Sequence, residues 1–200
     1  VKVGLQSYLR DGPDLVRTIT DSGKKVFLDL KLHDIPNTMA KAMESLKNLP
    51  IGMLTLLAHA GEEALQRCAQ TAKDIMPNTL LLAVTVLTSM DQSALQAIGI
   101  QSPVLEQVER LAIVATNAGI GGLVCSPQEL VHLRSFLPSS TKMVTPGIRP
   151  AGSDRGDQKR IMTPAQAKES GADYLVIGRP ILSADNPAEA LNNIRGEMNP

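Results

Sequence analysis

Val26-Phe27-Leu28-Asp29-Leu30-Lys31-Leu32-His33-Asp34, running directly into Ile35-Pro36-Asn37-Thr38, is the stretch from which the architecture can be read. It opens as a short apolar run of strand length. Pro36-Asn37-Thr38 is then a helix-start signal, because proline suits the first turn, where its missing N–H costs no bond. The same succession repeats along the chain. Apolar runs occupy residues 1–4, 26–31, 53–58, 80–87, 122–125, 142–145 and 174–177. Helical patterns occupy 14–21, 38–47, 62–73, 104–118, 127–136, 164–169 and 187–194. Ser126-Pro127, Thr163-Pro164 and Asn186-Pro187 are further start signals, and Gly23, Gly119 and Gly171 stand where helices should stop. Strand–helix alternation implies a parallel sheet with right-handed crossovers. Seven such units favour a closed barrel, whose eight-stranded form normally takes roughly 200 to 250 residues. The expectation is a single α/β domain over residues 1–200, either something other than an eight-stranded barrel or a (β/α)8 TIM barrel lacking its first β/α unit and so N-terminally incomplete.

Composition narrows the partners. Lys+Arg and Asp+Glu both number 20, so the formal net charge is zero. Nucleic acid and anionic membranes select basic surfaces, and neither is expected as a partner. Hydrophobic residues make up 43% but aromatics only 2%, with no Trp, so the core must be aliphatic. That suits parallel strands covered by helices. No apolar run nears the roughly 20 residues that span a bilayer, and no signal peptide pattern opens the chain. A soluble, cytoplasmic protein is expected. Cys68 and Cys125 lie far apart, without metal-ligand spacing, and read as buried thiols of a reducing compartment.

Within the quoted stretch, strand alternation puts Phe27, Asp29 and Lys31 on one face and Leu28, Leu30 and Leu32 on the other. A carboxylate and an ammonium then stand side by side at the strand's C-terminal end, where barrel active sites are built. Asp34 adds a second acid three residues on. The plain alternative is an ion pair plugging the barrel mouth, but buried pairs stabilise weakly because desolvation offsets the Coulomb gain. Flanking carboxylates favour the charged form of a lysine, which makes it a proton donor and not a Schiff-base nucleophile. A carboxylate beside it can repel an anionic group that is about to leave. Together they suit expulsion of CO2 followed by protonation of the carbanion, a scheme that needs no metal or organic cofactor. His33 and His59 close successive strands, but no acid beside His59 completes a metal site, and hydrogen-bonded packing is expected of both.

The last two strands end in Pro146-Gly147-Ile148-Arg149 and Gly178-Arg179-Pro180. Barrels often hold a substrate phosphate between these two loops, where glycines let backbone N–H groups approach and arginine offers a bidentate fork. Either turn alone could be a surface turn. The polar segment 146–156 has the makeup of a mobile lid, and Gln158 lies just beyond it. Thr85-Val86-Leu87-Thr88-Ser89 ends in hydroxyls that could meet a planar polar base, or could cap the helix that starts near Asp91.

These segments resemble the bacterial orotidine 5′-monophosphate decarboxylase family along essentially the whole chain. The anchors are 27–38, 87–90, 144–150, 156–158, 160–164 and 176–180, in that order. The resemblance implies an eight-stranded barrel, a homodimer and a cofactor-free conversion of orotidine monophosphate to uridine monophosphate. It implies Lys31 as proton donor to C6, Asp29 crowding the departing carboxylate, and Lys2 contacting the ribose and the acids. Asp34 and Thr38 are expected to reach the partner's site, in a binding segment that also includes Leu30, Leu32, His33, Ile35, Pro36 and Asn37. Thr88 would contact the pyrimidine, and Arg149, Gln158, Gly178 and Arg179 the phosphate and its loop. The family carries a further β/α unit before the position of Val1, with a ribose-binding aspartate, and a small, glycine-rich turn where this chain has the shorter and more acidic His59-Ala60-Gly61-Glu62-Glu63. A sugar-phosphate decarboxylase or isomerase of the same barrel group, and an inactive nucleotide-binding fragment, are the alternatives.

Overall fold

The computed structural model describes residues 1–150 and 160–198. Strands and helices alternate as β1 (Lys2–Gly4), α1 (Leu5–Asp21), β2 (Val26–Leu32), α2 (Pro36–Leu46), β3 (Ile51–Leu57), α3 (Glu62–Ile75), β4 (Leu80–Val84), α4 (Gln92–Ala97), α5 (Val104–Asn117), β5 (Gly122–Val124), α6 (Leu130–Arg134), β6 (Lys142–Thr145), α7 (Pro164–Glu169), β7 (Tyr174–Leu175), α8 (Arg179–Leu182) and α9 (Pro187–Met198). In the seven-stranded sheet the strands follow chain order. This is the expected α/β architecture. Among the described residues no helix is long and apolar enough to cross a membrane.

The chain divides into two compact units. The first comprises Val1–Thr85 and Leu111–Leu123. In it β1, β2, β3 and β4 pair in parallel, with Gly4 opposite Asp29 and Leu28 opposite Leu54. Its strands bury aliphatic side chains, as the composition required. Leu28, Leu54, Leu56 and Leu82 are fully enclosed, each contributing about 1.5–3 kcal/mol by leaving water. Helix α2 presents Met39, Ala40, Met43 and Leu46, a helical-period stripe, and packs on α3, whose inner face is small: Ala64, Leu65, Cys68, Ala69 and Ala72. Cys68 and Cys125 are both buried free thiols, as the sequence indicated, and burial pushes them up to about 11 and about 12.

Local outcomes also differ from the sequence pattern, two of them for clear reasons. Helix α1 begins at Leu5 instead of near residue 14, and it is broken inside by Gly12, with φ 65° and ψ −158°. Pro13 is the reason: it disfavours helical backbone at the residue before it, and glycine alone accepts that φ cheaply. The pattern over 127–136 splits into a 3₁₀ turn, Pro127–Glu129, and α6. The turn is capped by Ser126, whose own N–H donates to the Glu129 carboxylate at 2.8 Å.

The second unit comprises Val86–Arg110 and Val124–Pro200. Here β6 and β7 pair in parallel, with Val144 opposite Tyr174. The entry to β7 is pinned by Arg134. Its guanidinium donates to the Gly171 carbonyl at 2.8 and 3.0 Å, to the Thr141 carbonyl at 2.8 Å and to Asp173 at 2.5 Å. Asp173 also accepts from Lys142 Nζ and from the Met143 N–H. Gly171 ends the α7 turn at φ 101°, as the sequence indicated. A Cβ there would stand 3.1 Å from Arg134 Cγ, so this glycine is required twice over. Because β7 leads straight into Gly178-Arg179, this clamp sets where that turn emerges. Arg134→Ala should cost about 1.5–3 kcal/mol, the range for a hydrogen bond to a charged group, and urea unfolding will measure it.

Candidate active site

The informative strand is irregular where its chemistry lies. Leu28 pairs with Leu54, but the next paired residue, Leu32, lies opposite Leu56. Four residues of β2 therefore advance against two of β3, a bulge that lifts the chain out of the ladder. At its centre Lys31 has φ 51°, the one positive φ outside glycine among the described residues. Left-handed backbone at a long side chain is strained and must be held by its surroundings. The alternation expected along the strand thus holds through Asp29 and fails beyond it. Leu30 and Leu32 are only part-buried, since the bulge re-aims both.

Asp29 is buried, 7% exposed, and it gathers three donors. Lys2 Nζ donates to Oδ2 at 2.8 Å, and Lys31 Nζ to Oδ1 at 2.8 Å. The Thr55 hydroxyl donates to Oδ1 at 3.0 Å. Burial pushes the Asp29 carboxyl up, but the hydrogen bonds and charges of Lys2 and Lys31 outweigh it and hold it below its ordinary 3.8. Two ammonium groups against one carboxylate leave a formal surplus of one positive charge facing an incoming anion. Gly4 clears the route for Lys2, since a Cβ there would stand 3.2 Å from the ammonium nitrogen.

The remaining residues of the segment are arranged differently. Asp34 does not join Asp29 and Lys31 within the chain. It is exposed, and its Oδ1 accepts from the N–H of Ile35 at 2.7 Å. His33, Ile35, Asn37 and Thr38 are exposed too, and Pro36 part-buried, around the first turn of α2, which Ile35 precedes as N-cap. His59 lies in a 3₁₀ turn after β3. Burial, then the nearby charge of His33, push its imidazole below its ordinary value. Among the described residues no group of three or more metal-ligating side chains is gathered.

In the second unit, Thr88 is buried beyond the end of β4. The cap of α4 is Asp91, whose carboxylate accepts from the Ala94 N–H at 3.0 Å, so that role does not fall to Thr88 or Ser89. Arg149 is buried, with its N–H on the Met162 carbonyl at 3.0 Å and Nη1 on the Ile148 carbonyl at 2.9 Å. Gly147, at φ 78°, makes the turn that brings it there. Gly178 and Arg179 are exposed, as N-cap and first residue of α8. Gln158 and most of the expected lid lie outside the described residues.

Two polar residues outside the expected set lie among these contacts. Thr55 is a fully buried hydroxyl inside the aliphatic strand β3, and a lone polar residue in such a run was the available signal. Arg160 pairs with buried Glu129 and donates to the carbonyls of Val86 and Leu87 at 3.3 and 3.2 Å. Arg160 opens the anchor 160–164, but the sequence attached no role to it.

A buried carboxylate held between two ammonium groups can crowd an anionic leaving group, and a neighbouring ammonium can protonate the carbon from which that group departs. Residues 1–194 match the model of the orotidine 5′-phosphate decarboxylase / HUMPS family. The orotidine 5′-phosphate decarboxylase of Opitutus terrae is 51% identical over 197 residues, covering 98% of this chain and 86% of the relative. That of Pseudoalteromonas translucida is 48% identical over 195 residues, covering 97% and 83%. The crystal structure of orotidine 5′-phosphate decarboxylase from Lactobacillus acidophilus superposes with TM-score 0.86 at 36% identity, covering 100% of this chain and 87% of that one. The chain belongs to the orotidine 5′-phosphate decarboxylase / HUMPS family.

Proposed function

We propose that the chain decarboxylates orotidine 5′-monophosphate to uridine 5′-monophosphate, a step of pyrimidine biosynthesis, at the Lys2–Asp29–Lys31 cluster. One observation carries the reading: a single buried carboxylate bridges two lysine ammonium groups, one of them on a strained bulge. The relatives' name supplies the reaction, and the cluster has the parts it needs. The bond from C6 to the carboxylate breaks, CO2 leaves, and the electron pair stays on C6. Lys31 Nζ delivers a proton to that carbon and is reprotonated from solvent. Asp29, held anionic, lies against the substrate carboxylate and raises the energy of the ground state relative to the transition state, in which that charge is departing. Lys2 contacts the ribose and keeps Asp29 in place.

The rest of the substrate is assigned to the remaining residues. Thr88 receives the pyrimidine, and Arg149, Gly178, Arg179 and Gln158 receive the phosphate. The segment from Leu30 to Thr38 lines the site. Asp34 and Thr38 serve a second subunit of a homodimer. Their exposure supports this, as does the 67% exposure of apolar Ile35 between them. The fold that goes with this reading is a barrel of the (β/α)8 type.

Lys31→Ala should lower kcat by about 10²–10⁴-fold, the usual contribution of a positioned proton donor. Loss of orotidine monophosphate absorbance will report it, and an unchanged rate would remove Lys31 from the chemistry. Asp34→Asn and Lys31→Ala subunits, each inactive alone, should recover activity when mixed. No recovery after proven subunit exchange would contradict a shared site. Acid stability gives a third check. The folded value of Asp29 lies below 3.8, its ordinary value, so its contribution to stability is present above that pH. It is lost as pH falls through the folded value. Asp29→Asn should therefore flatten the acid limb of the stability profile, and an unaltered limb would mean that the carboxylate is not held as described.

A further inference from the structure

We propose that Thr55 is a positioning residue for the decarboxylation, its one hydroxyl fixing the Asp29 carboxylate and the Lys31 backbone together. The inference rests on the reading of Asp29 and Lys31 as the reacting pair. Thr55 is fully buried in β3, between Leu54 and Leu56, where neither packing nor strand pairing requires a hydroxyl. The backbone N–H of Lys31 donates to its Oγ1 at 2.9 Å. In a regular parallel ladder that N–H would go to a strand carbonyl, and the bulge has taken it out of register. With a lone pair of the hydroxyl occupied by this donor, its single proton is directed to Asp29 Oδ1, 3.0 Å away.

The consequence is a closed ring. Asp29 Oδ1 accepts from Lys31 Nζ, and Thr55 ties that same oxygen to the Lys31 main chain. Thr55 thereby holds both ends of Lys31, the backbone at φ 51° and, through Asp29, the ammonium group. Without the hydroxyl the Lys31 N–H has no acceptor, and the residue can relax from its left-handed conformation. Asp29 then keeps its charge partners but loses the neutral donor that sets the rotation of its carboxylate.

The test is a series at position 55 with kcat and KM measured separately. Active sites are counted by titration with a tight-binding uridine monophosphate analogue, so that folding losses do not enter kcat. Thr55→Val keeps the shape and removes the hydroxyl. It should lower kcat about 10–100-fold, the scale of a sub-ångström to ångström displacement of reacting groups, with little change in KM. Thr55→Ser restores the hydroxyl and should restore most of kcat. If Thr55→Val does not fold, Thr55→Cys takes its place, and the weak thiol donor should give a kcat below that of the serine variant. A folded valine or cysteine variant with unchanged kcat would overturn the proposal, because Thr55 would then only fill space. So would a serine variant as slow as the valine one. Lys31→Ala separates the underlying reading: full activity there removes the reacting pair itself, whatever position 55 does.

Discussion

One carboxylate organises the site. Asp29 is buried deeply enough that burial alone would raise its pKa, yet Lys2 and Lys31 hold it below its ordinary value, and Thr55 adds a third hydrogen bond. An uncompensated charge at such a position is strongly unfavourable, so the donors are a condition of the fold as well as of the chemistry. Lys2 comes from β1 and Lys31 from the bulge of β2, while Thr55 comes from β3. Three adjacent strands are thus fixed in register around one side chain, and the parallel pairing of Gly4 with Asp29 is what lets Lys2 reach it. Gly4 leaves room for the Lys2 ammonium group, and the left-handed backbone of Lys31 lies in the bulge from which the second ammonium group reaches that carboxylate.

Much of this was legible in the sequence, for reasons that are local. The β/α alternation follows from apolar runs and helix-start signals, and Ser126, Thr163 and Asn186 each cap the helical turn that they announce. The glycine stops at Gly23, Gly119 and Gly171 all have positive φ. The pairing of Asp29 with Lys31 also followed from proximity, although strand alternation was the wrong reason for it. The two meet across a bulge, and the alternation that placed them on one face ends between them.

What could not be read depends on contacts between distant segments. The bulge is a difference in advance between β2 and β3, and no residue type in β2 announces it. Thr55 is 26 residues from Asp29, and only the register of the two strands brings its hydroxyl to the carboxylate. Arg160 reaches Glu129 and the carbonyls before Thr88 across similarly long separations. The early part of α1 was missed for the opposite reason. Gly12-Pro13 is a true local break signal, and the structure obeys it with a sharp bend while helix continues on both sides. Asp34, three residues past Lys31, stands exposed at the head of α2 with its Oδ1 on the Ile35 N–H, a placement set by the turn into the helix and not by strand alternation.

The central claim is that the proton on C6 of the product comes from Lys31. Microscopic reversibility makes this directly measurable, because a group that delivers that proton must also remove it. Uridine monophosphate incubated with the protein in D2O should slowly exchange its C6 hydrogen, followed by loss of the proton NMR signal, and Lys31→Ala should abolish the exchange while still binding the nucleotide. Exchange that persists undiminished in the Lys31→Ala protein would contradict the account.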